Sequence, residues 1–135
     1  MPEMESKLND SILLTIKKML GLDSSYDVYD EDVIVLINAC IREIYQLGVG
    51  EETFSVTNDT QTWSEYLGAM SGLYDDVKSY IYYKVRLAFN PPSNSFVVKS
   101  YEDLMKENAF RILVTADIRR IQESTTANEE DDSDE

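Results

Sequence analysis

The sequence predicts an all-α fold: one small bundle of about five helices with an extended C-terminal helix and a disordered acidic tail. Apolar residues recur at spacings of three and four in five segments, and no segment sustains the alternation typical of a strand. Polar caps, glycines and a proline pair separate these segments. At 135 residues the chain is long enough for one hydrophobic core and too short to expect two.

The first predicted helix covers residues 11–20, SILLTIKKML. Asn9 or Asp10 is the expected N-cap, and Gly21 supplies the left-handed stop. One apolar face is formed by Ile12, Leu13, Ile16, Met19 and Leu20.

The second helix is expected from about residue 31 to 47. Asp30 is its predicted N-cap, Glu31 and Asp32 complement the helix dipole, and Gly48 closes it. The apolar stripe consists of Val33, Ile37, Cys40, Ile44 and Leu47.

A short third helix follows a loop over residues 48–59. Residues Thr57 to Thr60 offer caps, and Gly68 and Gly72 limit the helix to about two turns. Its apolar residues are Trp63, Tyr66 and Leu67.

The fourth helix begins near residue 73 and ends before a proline pair. Asn90 precedes Pro91 and therefore leaves the helical region, and two prolines cannot continue the hydrogen-bond ladder. The predicted core stripe is Leu73, Val77, Ile81, Val85 and Ala88.

The fifth helix is expected to start with a cap among residues 93–95 and to outrun its own domain. Its main stripe is Val97, Tyr101, Leu104, Met105, Asn108 and Ile112, and a weaker one continues through Val114, Ile118 and Ile121. An apolar stripe on a helix end that extends beyond its domain indicates either that the end frays or that a partner protein covers it. We therefore divide the chain into a flexible N-terminus (1–10), a helical domain (11–113), a helix extension (114–128) and an acidic tail (129–135).

The net charge of −14 restricts the possible partners. The last seven residues, EEDDSDE, carry six of the negative charges, so residues 1–128 keep a net charge of −8. We expect this tail to be disordered and solubilising, because it has no apolar residue to bury. A negatively charged domain repels the phosphate backbone, which disfavours binding to nucleic acid. It could instead keep passing DNA from adhering or imitate DNA to a basic partner, and the sequence leaves both open.

The sequence offers few groups for catalysis or for binding a cofactor or metal. Histidine is absent, and Cys40 is the single cysteine, expected to be a small buried hydrophobe. The carboxylate pairs Glu31 with Asp32 and Asp75 with Asp76 fall at helix starts. The run VTNDTQTW lacks the spacing of a calcium loop. We predict no enzyme, no cofactor and no metal site, in a soluble protein that has no membrane span and is intracellular when made.

Four of the nine tyrosines lie on the fourth helix: Tyr74, Tyr80, Tyr82 and Tyr83. Successive positions 80 to 83 point all round a helix, so some of these rings lie outside the aliphatic stripe. Such rings either form a subunit or partner interface or pack on neighbouring helices.

Three stretches carry a resemblance to a known family: ILLTIKKMLGLDSSYDVYDEDVIVLINACIREIYQLGVG, FSVTNDTQTWSEYL and VKSYIYYKVRLAFNPPSNSFV, followed by ENAFRI. The third is the most specific, a lysine- and tyrosine-rich helix that ends in a proline pair. From about residue 12 to 113 the chain resembles the helical head-tail connector, or adaptor, proteins of long-tailed bacteriophages. Two departures are Asn90, where the family often has an acidic residue, and Ala109-Phe110, where Glu-Trp is common.

The resemblance implies an all-α virion subunit at the head-tail interface that forms a ring beneath the portal and joins the capsid to the tail. Its expected partners are the portal protein, a tail-side connector or stopper protein, and copies of itself, while DNA passes through the channel without specific binding. The C-terminal helix is expected to dock on the portal. We expect ring contacts at Tyr80, Tyr82, Tyr83 and Arg86, and portal contacts at Phe110, Arg111 and Ile118.

Two other functions remain open from the sequence. An acidic inhibitor that mimics DNA would bind a basic host protein with strong salt dependence. A carboxylate enzyme would need a buried carboxylate pair facing a pocket.

Overall fold

The computed structural model describes the backbone of residues 6–133 and the side chains of residues 6–128. It contains five main α-helices, with a 3₁₀ helix, Gly68–Leu73, between the third and fourth. In the described residues the only strand-like pairing is an isolated bridge between Ser11 and Thr62, so the all-α prediction is confirmed. The helices are α1 (Ile12–Met19), α2 (Asp30–Gln46), α3 (Trp63–Leu67), α4 (Tyr74–Phe89) and α5 (Ser95–Ser133).

Helix α4 lies between α2 and α5 and runs antiparallel to both. The ring of Tyr29, just before α2, meets Phe89 at the end of α4, with centroids 5.2 Å apart. At the other end, Arg111 of α5 donates to Asp76 in the first turn of α4 at 2.8 Å. The two outer helices therefore each cover one side of α4.

Trp63 belongs to the core and is fully buried. Its indole N–H donates to Thr15 Oγ1 at 3.1 Å, and its ring meets Tyr74 edge-on at 5.5 Å. This side chain thereby joins α3 to α1 and α4. Buried aliphatic residues of α1, α2 and α4 belong to the same core cluster, and each contributes about 1.5–3 kcal/mol of transfer free energy.

The predicted cap of α1 is wrong, although its stop is confirmed. Ser11, not Asn9 or Asp10, accepts from the backbone N–H of Leu14 at 3.2 Å. Asp10 is instead held outside the helix, because its carbonyl accepts from the backbone N–H of Trp63. Gly21 has a φ of 82°, the left-handed conformation that ends the helix.

The predicted cap of α2 is also wrong. Asp30 is the first helical residue, and Tyr29 precedes it without a side-chain cap bond. The Asp30 carboxylate lies 2.8 Å from Lys17 Nζ, and the Lys17 side chain is only 1% exposed. Because a buried ammonium requires a partner, the ion pair takes the carboxylate that would otherwise cap the helix.

Helix α3 is capped by Thr62 rather than by residues 57–60. Thr62 Oγ1 accepts from the backbone N–H of Glu65 at 3.1 Å. The earlier polar residues close the preceding loop instead, since Gln61 Oε1 accepts from the backbone N–H groups of Thr57 and Asn58. The short length predicted for this helix agrees with its five residues.

Helix α4 follows its predicted stripe except at the last position. Val77, Ile81 and Val85 are buried, whereas Ala88 is exposed. Because α2 begins beside the end of α4, little covers this last turn, and the contact there passes to Phe89 and Tyr29. The helix ends at Phe89, and Asn90 has a non-helical φ of −150°, as the proline pair predicts.

Helix α5 is continuous from Ser95 to Ser133. Asn94, inside the predicted cap range, accepts from the backbone N–H of Phe96 at 2.8 Å. The helix has no break at residue 113, and Ala116 is still buried.

Every side chain from residue 120 to 128 is exposed, so this part of α5 leaves the domain. The predicted disordered tail overlaps the end of the helix, while residues 134 and 135 lie outside the described part. Residues 1–5 of the predicted flexible N-terminus also lie outside it, and residues 6–8 form one helical turn.

Candidate interaction surfaces

The tyrosine-rich face of α4 contacts α2 through one polar cluster. Tyr80 donates its hydroxyl to Glu43 Oε2 at 2.6 Å, and Lys84 Nζ bonds the other carboxylate oxygen. Burial raises the pKa of Glu43, but the bonds from Lys84 and Tyr80 outweigh it and leave that pKa below its ordinary value. Burial and the bond to Glu43 raise the pKa of Tyr80. Tyr80 is therefore tied to its own chain.

Two further tyrosines of α4 pack against α5. The rings of Tyr83 and Tyr101 have centroids 4.8 Å apart, and those of Tyr82 and Tyr101 are 6.3 Å apart. Tyr82 and Tyr83 also contact each other at 5.5 Å. All three rings are half-buried. They form an aromatic seam between the two helices, the second of the two roles that the sequence left open.

Arg86 forms a hydrogen bond at the C-terminal end of its own helix. Its Nε donates to the carbonyl of Asn90 at 2.5 Å, which satisfies one of the free carbonyls at the helix C-terminus. Each of the four expected ring-contact residues thus has a partner in its own chain, and each keeps part of its surface in solvent.

The structure brings the three expected portal-contact residues together. Phe110, Arg111 and Ile118 line one groove of about 510 Å³ between α5 and the 3₁₀ helix. Phe110 is 67% exposed and Ile118 is 52% exposed. Arg111 pairs with Asp76, and the bond and charge of that carboxylate raise the pKa of the guanidinium. Arg119 closes one end by donating to the carbonyl of Ala69 at 3.3 Å.

Sequence reasoning missed a second exposed surface, which we call the acidic aromatic patch: Tyr26, Asp27, Val28, Tyr29, Glu31 and Asp32. All six side chains are exposed, and Val28 is 65% exposed. The rings of Tyr26 and Tyr29 lie edge-on at 6.0 Å. The signal was available as the stretch YDVYDED, where large apolar residues alternate with acids outside any helical stripe.

The carboxylate pairs occupy helix starts rather than a pocket. Glu31 and Asp32 are exposed in the first turn of α2, and Asp75 and Asp76 lie in the first turn of α4. Within residues 6–128 no group of three or more Cys, Asp or Glu side chains is arranged to hold a metal ion. This geometry gives no support to the carboxylate-enzyme alternative.

Cys40 is a buried core residue, as predicted. Burial raises the pKa of its thiol to about 12, so the thiol stays neutral. None of the described helices combines the length and the apolar character that a membrane crossing requires.

Comparison with known proteins supports one family. The family described as phage connector protein matches residues 12–119, which is well over half of the chain. No curated protein and no solved structure matches it. The matched region includes all of α1 to α4, the hairpin at the proline pair, and every residue that lines the groove except Gln122. The chain therefore belongs to the phage connector protein family, whose members are structural proteins not known as enzymes.

Proposed function

We propose that this chain is a head-tail connector subunit that forms a ring beneath the portal and joins the DNA-filled capsid to the tail. The observation that carries the proposal is the family match over residues 12–119. Family membership implies partners among the proteins of the phage virion. This role requires three partners: the portal above, a tail-side connector or stopper protein below, and neighbouring copies of the chain.

The groove along α5 supports docking on the portal. Phe110 and Ile118 expose apolar surface beside Arg111, and aromatic residues and arginine are the types that most often anchor interfaces. The exposed helix beyond residue 119 extends this surface away from the domain. A long rigid helix with an apolar groove at its base suits insertion between parts of a larger partner.

The partly exposed faces of Tyr80, Tyr82, Tyr83 and Arg86 support contacts between ring neighbours. Their contacts to Glu43, Tyr101 and Asn90 hold these side chains in place before a neighbour arrives. An ordered side chain loses less conformational entropy on binding, so the same contact area gives more affinity.

The acidic composition supports a channel through which DNA slides. A net charge of −14 repels phosphate, and affinity for duplex DNA depends on contacts from Lys and Arg. Four of the five cations of α5 are paired with carboxylates, among them Arg120 with Asp117 and Arg119 with Glu123. DNA would therefore pass without specific binding.

Light scattering coupled to size-exclusion chromatography tests the proposal, with the protein alone and mixed with the portal of the same phage. We expect a complex with portal, and we expect Phe110→Asp and Ile118→Asp each to weaken it at least tenfold. Val35→Asp on α2 is the control, because Val35 is as exposed as Phe110 but does not line the groove.

Electron microscopy of particles that lack the protein gives a second test. We expect heads without tails, whereas normal tailed particles would contradict the proposal. If the protein does not bind the portal, the alternative function of an acidic inhibitor that mimics DNA is favoured instead.

A further inference from the structure

We propose that α5 is a hinged element, which separates from the rest of the domain as a unit while α1 to α4 keep their structure. The hinge is the loop over residues 90–94, and the open form is a minor state of the free chain. This motion takes place within a single subunit and does not depend on the proposed function. Three observations support it: the small apolar surface that α5 buries, a buried amide without a partner, and the composition of the loop.

Helix α5 contributes little to the hydrophobic core. Among the described side chains, the buried apolar residues of α5 are Ile112 and Ala116. Within the same part of the chain, no partly buried apolar side chain of α5 packs against that core. Helix α4 is less than half as long, yet it contributes four buried residues: Tyr74, Val77, Ile81 and Val85. Because hydrophobic stabilisation grows with the apolar area that is buried, α5 is attached to the domain more weakly than α1, α2 and α4 are attached to one another.

One buried polar group of α5 lacks a partner. Asn108 is 4% exposed and lies one turn before Ile112 on the face of α5 that meets the domain. Its side-chain oxygen accepts from Arg111 at 3.1 Å, but its amide nitrogen is buried and has no hydrogen-bond partner among the described residues. A buried donor without an acceptor has lost its bonds to water and gained none in exchange. Opening of α5 returns this nitrogen to water, so the amide favours the open state.

The other contacts that hold α5 against α4 lie near the surface. The rings of Tyr82, Tyr83 and Tyr101 are half-buried. The ion pair between Arg111 and Asp76 is partly solvated, since the Arg111 side chain is 53% exposed. Surface ion pairs contribute little to stability. These contacts keep α5 closed in most molecules, but water solvates the same groups when α5 opens.

The loop over residues 90–94 is suited to a hinge. Asn90 has a φ of −150° and has left the helical conformation, and Pro91 and Pro92 prevent α4 and α5 from joining into one helix. Ser93 and Asn94 are exposed, so rotation of their backbone meets little obstruction. A few loop residues of this kind absorb the backbone change in a hinge motion. Since α5 is a continuous helix from Ser95, it turns as a rigid body.

Opening also separates the two walls of the groove. Helix α5 supplies one wall, with Phe110 and Ile118, and the 3₁₀ helix supplies the other, with Ala69 and Met70. The groove is therefore complete only in the closed state. A partner that binds in the groove would select the closed state and lower the population of the open one.

Native-state hydrogen exchange on the wild-type chain, followed by NMR, tests the inference. We expect the amides of residues 101–116 to share one opening equilibrium and to exchange at least tenfold faster than those of Ile37 and Ile81, after correction for intrinsic rates. Exchange in α5 as slow as in α2 and α4 would overturn the inference, because α5 would then open only on global unfolding. A gradual rise along α5 would also overturn it, because it would show fraying from the C-terminal end.

Substitution of the buried amide sharpens this test. Asn108→Leu removes the unpartnered donor at similar volume, and we expect it to slow exchange of the α5 amides at least fivefold. Asn38→Leu is the matched control, because the Asn38 amide bonds both the N–H and the carbonyl of Val56 at 2.8 Å. This control should not slow exchange in α5. Unchanged exchange of α5 in Asn108→Leu would contradict the inference.

Thiol labelling with iodoacetamide gives an independent measurement that also needs no portal. Cys40 is fully buried in the part of the chain that stays folded, so it serves as an internal reference for global unfolding. Ile112→Cys places a second thiol on α5, and Ile37→Cys is its matched control, because both isoleucines are 0% exposed.

Mass spectrometry of the labelled chains compares the reaction rates of the two thiols in each variant. We expect the thiol at position 112 to react at least tenfold faster than Cys40 in the same chain, and the thiol at position 37 to react at the rate of Cys40. Equal rates at positions 112 and 40 would overturn the inference and leave the proposed function untouched. A chain that does not bind portal but shows the fast exchange and labelling of α5 would overturn the proposed function alone.

Discussion

The tyrosine face of α4 and the groove face of α5 differ in where their contacts lie. On α4, Tyr80 bonds Glu43 and Tyr83 packs on Tyr101, so the aromatic residues serve the fold. On α5, Phe110 and Ile118 have similar apolar area but expose more than half of it. Aromatic content alone therefore does not identify an interface, because the neighbouring helix decides which rings remain free.

Removing a ring from the seam is expected to have the largest effect on stability. Tyr83→Ala loses the packing on Tyr101 and Tyr82 and should cost about 2 kcal/mol, since the ring is half-buried. Phe96→Ala is the matched control, because Phe96 is 82% exposed in the same hairpin and its loss should stay within about 0.5 kcal/mol. Denaturant unfolding measures both. Equal costs for the two variants would contradict the distinction between the surfaces.

The polar cluster of Glu43, Tyr80 and Lys84 is expected to contribute less to the free energy of unfolding than the aromatic seam does. Glu43→Gln removes the charge that Lys84 and Tyr80 bond, and should cost about 1 kcal/mol because the site is partly solvated. Glu51→Gln is the control, since Glu51 is exposed and its change should be near zero. Thermal unfolding at neutral pH compares the two. A cost for Glu51→Gln as large as that for Glu43→Gln would show that the cluster has no special role.

The same cluster makes stability depend on pH in a defined direction. The bonds from Lys84 and Tyr80 hold the pKa of folded Glu43 below its ordinary value of 4.5. The unfolded chain therefore binds the proton more tightly, so this contribution is complete above pH 4.5 and is lost as the pH falls through the folded pKa. We expect the acid side of a melting-temperature profile to be shallower in Glu43→Gln than in wild type. Superimposable profiles would exclude this contribution.

On α5, substitution is expected to leave stability almost unchanged. Phe110→Ala removes a side chain that is 67% exposed and should shift the unfolding free energy by less than about 0.5 kcal/mol. Its affinity for the portal should nevertheless fall about tenfold if the ring anchors that contact. Calorimetric titration with portal, alongside denaturant unfolding, separates the two effects. A large loss of stability with unchanged binding would reverse the assignment of this surface.

The helices and their ends were predictable because both depend on local sequence. Apolar spacing located all five helices, and Gly21 and the proline pair ended theirs through backbone geometry that needs no tertiary partner. The caps were less predictable. Thr62 and Ser11 have ordinary cap chemistry, but the bridge between them sets where α1 and α3 begin.

The positions of charged side chains were the least predictable. Lys17 falls in the apolar first helix and is buried, because the loop before α2 supplies the carbonyl of Ser24 and the first residue of α2 supplies the carboxylate of Asp30. No local pattern announces such a partner thirteen residues away. For the same reason, the sequence could not predict that Glu43 would accept a hydrogen bond from Tyr80, or that the acidic aromatic patch would remain exposed.

The close approach of the end of α2 to α5 also affects where the exposed part of α5 points. A Cβ on Gly48 would lie 2.8 Å from Cβ of Ala116, so the end of α2 touches α5 where that helix leaves the domain. Residues 117–128 continue the helix for about 18 Å beyond this contact. A rotation of roughly 5° at this point displaces the end of the helix by roughly 1.5 Å. A larger side chain at position 48 would therefore push α5 away from α2 and change the direction of its exposed end.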